Sequence, residues 1–174
     1  MNRIYIIIIT TICFSLNAHA QWLWNREKLE SIKADVKSLA YFNAYELLIQ
    51  QADTKLSERT YSVTYKKSIA PNGNRHDYVS LSRYWWPNPD TNNHLPYIYK
   101  DGQSNPELNQ YDRNSLGDMC NAVNTLALAY FYSEEERYAT KAIELLRTWF
   151  LNKEMKMNPN LNYSQFVPGR DGSK

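Results

Sequence analysis

The sequence predicts an all-α fold of antiparallel helix pairs that carries one long, aromatic-rich loop. Three observations lead there. Apolar residues recur at helical spacing in three stretches, and the periodicity stops from Ser57 to about Arg113. That silent segment holds five of the seven Pro and nine aromatic residues. Loops of this length are functional or disordered, and disordered chains are poor in aromatics. The segment therefore reads as an ordered loop wrapped over a surface.

The first element is a leader. "MNRIYIIIITTICFSLNAHA" places Arg3 ahead of an apolar core from Ile4 to Leu16 and ends in the small-residue site Ala18-His19-Ala20. This is the anatomy of a secretory signal peptide, residues 1–20, with a core too short for a stable bilayer span. The expectation is cleavage after Ala20, leaving residues 21–174 as one domain. Its location is then periplasmic or secreted, with no membrane attachment; a retained anchor is the alternative. Cys120 becomes the only cysteine. It falls on an apolar helical stripe and reads as a buried structural thiol rather than a nucleophile.

From Arg26 to about Leu56 a single amphipathic helix is expected. Leu29, Ile32, Val36, Leu39, Ala40, Leu47 and Leu48 fall near the i, i+3, i+4 pattern, and no Pro or Gly interrupts them. Within the loop, "TYSVTYKK" and "LPYIYK" are the candidate short strands. Helix resumes at about Asn114, capped by Asn114 or Ser115, with Leu116, Met119, Cys120, Val123, Leu126, Ala127 and Tyr130 on one side. After a break at Tyr132-Ser133, Ser133 and Glu136 read as a capping box for a helix to about Leu151. Its apolar face is Tyr138, Ala142, Ile143, Leu146, Trp149 and Phe150. So short a link makes the two helices an antiparallel hairpin. The tail "MKMNPNLNYSQFVPGRDGSK" reads as a second polar loop, as though the chain were cut mid-structure. Three long helices with apolar faces need further helices to cover them.

Composition narrows the partners. Losing Arg3 with the leader takes the formal charge from +2 to +1, so no whole-molecule field for nucleic acid exists. An anionic ligand must be held by a local cluster. Fourteen Tyr and five Trp point to flat, hydroxyl-bearing partners such as sugars.

The segments "HDYVSLSRYWWPNPD", "LPYIYKDGQSNPE", "LALAYFYSEEERYATKAIELLRTWF" and "MNPNLNYSQFVPG", with the looser "YELLIQQADTKL", run from Tyr45 to Gly169. In their order and spacing the chain resembles the alginate lyase superfamily of bacterial polysaccharide lyases. The resemblance implies an incomplete α/α toroid, in which paired helices form a ring whose loops line a cleft for an acidic polysaccharide. It also implies β-elimination on alginate or a related polyuronate, without a cofactor and without a metal. The enzyme must neutralise the uronate carboxylate and stabilise the developing enolate, work suited to Asn, His and Arg donors. A Tyr or His takes the C5 proton, and a Tyr protonates the leaving oxygen. The family's Asn-Asn-His segment and catalytic Tyr lie in the later half of the toroid, so the main catalytic residues are expected beyond Lys174. Asn92-Asn93-His94 occurs where the family has a variable loop and reads as coincidence. The alternative function is a non-catalytic carbohydrate-binding module for acidic polysaccharide.

The expected substrate-binding residues are His76, Arg83, Tyr84, Trp85, Trp86, Asn160, Asn162 and Gln165. Tyr84, Trp85 and Trp86 form an aromatic wall for pyranose rings. Adjacent residues of an extended segment point to opposite sides, so one Trp anchors the loop while the other, or Tyr84, faces the cleft. His76 either meets the carboxylate or hydrogen-bonds the loop. Arg83 grips a carboxylate through its planar fork, whereas Lys66, Lys67, Arg75 and Lys100 read as general loop charge. Asn160, Asn162 and Gln165 either close turns or, with the resemblance added, contact sugar.

Overall fold

A computed structural model describes residues 25–170. The expected leader and the expected cleavage site lie outside the described residues. The chain divides into two compact units, Met1–Asp35 and Val36–Lys174. In the first, α1 (Arg26–Ala34) is capped by Asn25, whose side chain accepts the Lys28 N–H. It stops at Asp35, which leaves helical geometry at φ −127°.

The single helix expected from Arg26 to Leu56 is thus two, because α2 spans Phe42–Ser57. No Pro or Gly makes the break. Asp35 is a weak helix former whose side chain competes for backbone groups. Leu39, expected on the buried stripe, is 99% exposed.

In the second unit, α2 packs on α3 (Asp112–Ser133), and α3 packs on α4 (Glu136–Phe150). The buried row of α3 is Met119, Ala122, Leu126 and Ala129, spaced by three and four residues as one helix face requires. Cys120 stands about 100° round the helix from Met119 and is exposed, which corrects the expectation of a buried thiol. Helix α3 also begins before Asn114, with Tyr111 at its N-cap position and no side-chain cap. Ser133 does not cap α4. It closes α3 instead, donating to the Ala129 carbonyl at 2.7 Å while its Oγ accepts the Glu135 N–H. Glu134, at φ +61°, turns the chain into α4.

Helix α4 buries Tyr138, Ala142, Leu145, Thr148 and Trp149, leaving Ile143, Leu146 and Phe150 exposed. Tyr138 donates to Asp53 of α2 at 2.8 Å. Burial, together with that carboxylate, pushes the Tyr138 hydroxyl up to about 12. Among the described residues no helix is long and apolar enough to cross a membrane.

The fold is helix-rich rather than purely helical, since among the described residues the loops contain four short strands. The expected strand in "TYSVTYKK" is a 3-10 turn, Val63–Tyr65. Strand β1 (Val79–Leu81) pairs in parallel with β4 (Tyr163–Phe166), and β2 (Trp85–Trp86) pairs antiparallel with β3 (Ile98–Tyr99). Lys66 pins the loop to α3. Its ammonium donates to the carbonyls of Val63, Arg75 and Asp77 at 2.7–2.8 Å and meets Asp112 Oδ2 at 2.9 Å.

Candidate functional site

The β1–β4 pair and the start of α3 frame a cleft of about 620 Å³. Strand β1 runs straight into Ser82, Arg83 and Tyr84, so its end delivers Arg83 and Tyr84 to the opening. Strand β4 delivers Gln165, and the first turn of α3 delivers Arg113. Tyr78 and Leu81, both buried, add apolar surface to the wall.

The electrostatics of this cleft rest on two cations. The guanidinium groups of Arg83 and Arg113 are exposed and make no hydrogen bond, ion pair or ring contact among the described residues. Arg113 also sits where a helix disfavours positive charge, because the macrodipole is positive at the N-terminus. Two unpaired forks on one cleft suit a carboxylate-bearing ligand.

Gln165 has a backbone φ of +54°, a conformation uncommon outside glycine. It lies where the β1–β4 register shifts. Its N–H donates to Ser80 Oγ at 2.9 Å, and its carbonyl accepts from Ser82 Oγ at 3.1 Å. Both backbone groups are therefore held, while the side chain stays exposed on the cleft. Such strain is tolerated where the surroundings over-determine it, often at functional positions.

The other expected residues divide into two places. Trp85 and Trp86 adjoin the cleft on β2 without lining it. The Trp86 indole donates to the Gln103 carbonyl at 2.8 Å and carries the Lys100 ammonium over its ring. Trp85 carries the Arg170 guanidinium 4.2 Å above its ring. Of Tyr84, Trp85 and Trp86, Tyr84 is the one on the cleft.

His76, Asn160 and Asn162 belong to a second cluster around buried Asp77. His76 Nδ1 lies 2.7 Å from the Lys156 carbonyl, and its own carbonyl accepts the Asn158 N–H. The Asn160 amide donates to Asp77 Oδ1, while its Oδ1 accepts the Asn162 N–H. Burial pushes the Asp77 carboxyl up, but the amides of Asn158, Asn160 and Asn72 and the Lys66 charge more than offset it, leaving it below the usual carboxylate range. Asn92-Asn93-His94 forms an exposed turn, with His94 at φ +58° and its Nδ1 3.1 Å from the Asn88 carbonyl. Among the described residues no group of His, Cys, Asp or Glu is placed to hold a metal ion.

Arg113 is the charged cleft residue that sequence reasoning missed. The available signal was a basic side chain in the first turn of a helix, next to the long loop.

The sequence profile of the alginate lyase family matches residues 62–174. The chain is also similar to an alginate lyase from Bacteroides ovatus of known crystal structure, with 48% identity and a TM-score of 0.79. That match covers 84% of this chain and 39% of the other, so the chain aligns with well under half of that protein. No curated protein matches it. A profile match over residues 62–174, with a structural match at 48% identity over 84% of the chain, places the protein in the alginate lyase family.

Proposed function

We propose that this chain forms one wall of the substrate cleft of an exported polysaccharide lyase, acting on alginate or a related polyuronate by β-elimination. The helix hairpin and α2 are then part of an α/α toroid. The leader, with Arg3, its apolar core and Ala18-His19-Ala20, supports export to the periplasm or beyond. The observation that carries the reading is the pair of unpartnered guanidiniums, Arg83 and Arg113, on a cleft shared with Tyr84 and Gln165.

The chemistry is helped by a cation of this kind. A uronate C5 proton is weakly acidic while its carboxylate is charged, because removing it adds a second negative charge to the same carbon framework. A fixed guanidinium on the carboxylate lowers that cost, and it lowers it most in the transition state. Gln165 supplies neutral hydrogen-bond groups for sugar hydroxyls, and Tyr84 an apolar face with a polar tip. These are binding and charge-neutralising roles. Proton transfer at C5 and at the leaving oxygen is not among the roles proposed for these four residues.

Calorimetric titration with alginate oligomers, set against neutral oligosaccharides of equal length, tests the reading. Acidic oligomers should bind and neutral ones should not. Equal binding of both, or of neither, would remove it. Ultraviolet absorbance of unsaturated uronate in the same mixtures separates a lyase from a carbohydrate-binding module that uses these residues without catalysis.

A further inference from the structure

Tyr99 lies outside the cleft just described, yet it is held in a way that an incidental surface aromatic is not. It sits on β3, paired in register with Trp85. Its ring meets Tyr84 edge-to-face at 6.2 Å and Trp85 at 5.7 Å. Its hydroxyl donates to Asp101 Oδ1 at 3.1 Å. With ring and hydroxyl both fixed, 54% of the residue still faces solvent. Single exposed aromatics are common and need no explanation. Here, however, three contacts have fixed the orientation of a ring that buries little area in return.

The ring's neighbour supplies the connection to function. Tyr84 lines the Arg83–Arg113 cleft on one side and touches Tyr99 on the other. A saccharide that ran from the guanidiniums past Tyr84 would meet Tyr99 next. Pyranose rings present a C–H face that packs on an aromatic, and a pre-oriented ring loses little entropy in receiving it.

We propose that Tyr99 is a separate sugar-stacking subsite for a polyuronate chain, one step beyond the carboxylate-binding cleft. The proposal rests on the polyuronate reading of that cleft. Its occupant is a pyranose ring of the same chain whose carboxylate is held by Arg83 and Arg113. Tyr99 therefore sets preference for longer substrates rather than recognition of the charged unit.

The test titrates the full chain with uronate oligomers from dimer to hexamer, comparing wild type with Tyr99→Ala, Tyr99→Phe and Arg83→Ala. Tyr99→Ala should weaken binding of the oligomers long enough to reach it about tenfold, the scale of one well-stacked aromatic contact, and leave the shorter ones, which fill only the cleft, unchanged. Tyr99→Phe keeps the ring and its two edge contacts and should retain most of the binding that Tyr99→Ala loses. Arg83→Ala should weaken all lengths alike. If Tyr99→Ala matches wild type at every length while Arg83→Ala still weakens binding, the subsite is overturned and the cleft reading stands. Loss at every length in Tyr99→Ala also overturns it, since Tyr99 then acts by shaping the cleft. If wild type binds no oligomer, both readings fall.

Discussion

The carboxylate of Asp77 accepts the Nδ2 hydrogen of Asn160 at 3.0 Å, joining segments 83 residues apart. The same oxygen accepts Asn158 at 2.8 Å, and Oδ2 accepts Asn72 at 2.7 Å. One buried charge therefore fixes the turn at residues 158–162 that leads into β4. Strand β4 in turn sets Gln165 on the cleft that Arg83 also lines. The polar residues of the tail reach the cleft through their placement as much as through their own contacts.

This knot gives stability a pH dependence of definite sign. The folded Asp77 carboxyl lies below its ordinary range: burial opposes ionisation, but the amide donors and Lys66 outweigh it. A depressed carboxyl contributes stability that is full above its unfolded value, about 3.9, and is lost as pH falls through the folded value. Asp77→Asn should remove that contribution and flatten the acid limb. Asp77→Ala should cost on the order of 3 kcal/mol at neutral pH, the scale of hydrogen bonds to a buried charge. Urea melts across an acid pH series would show it. Parallel profiles for wild type and Asp77→Asn would rule out this role.

Lys66 and Asp112 form an ion pair at 2.9 Å, each side chain 1% exposed. Burial lowers the Lys66 ammonium and raises the Asp112 carboxyl, while each partner's charge works against the shift. Three carbonyls and a carboxylate surround the Lys66 ammonium. Lys66→Met should cost about 3–5 kcal/mol, because it strands a buried carboxylate. The double variant Lys66→Met, Asp112→Asn should recover part of that loss. A double-mutant cycle by denaturant unfolding measures the coupling. Strictly additive losses would show that the pair acts only through separate backbone contacts.

How far the sequence reaches depends on how local the signal is. Helix α4 was legible from the spacing of Tyr138, Ala142 and Trp149, because a helix face repeats within a few residues. The ordered loop was legible from its aromatics. The break at Asp35 was not, since no Pro or Gly marks it and Leu39 continues the apolar pattern while standing in solvent. Strands β1 and β4 are three and four residues long and pair across more than 80 residues, too short for alternation to register. At the cleft, Arg83, Tyr84 and Gln165 came from the sequence. Arg113 did not, because starting the helix at Asn114 leaves it as one more loop residue.

Arg113 also provides the sharpest test of the cleft. A cation in the first turn of α3 opposes the helix dipole, at a cost of roughly 0.3–1 kcal/mol. Arg113→Ala should therefore leave the melting temperature unchanged or slightly raised. If the side chain is there for a carboxylate, the same substitution should weaken binding of uronate oligomers. Losing a charged hydrogen-bonding partner is worth about 1.5–3 kcal/mol, or roughly tenfold to a hundredfold in affinity. Arg83→Ala should weaken binding to a similar extent. Arg→Lys at either position should recover only part, since an ammonium keeps the charge without the planar fork. Wild-type binding should fall as salt is added, and the double variant Arg83→Ala, Arg113→Ala should lose most of that dependence. Titrations at two ionic strengths, with thermal melts of the same samples, resolve these outcomes. A destabilised Arg113→Ala that binds as wild type does would show the residue to be structural and leave Arg83 as the one cation serving the ligand.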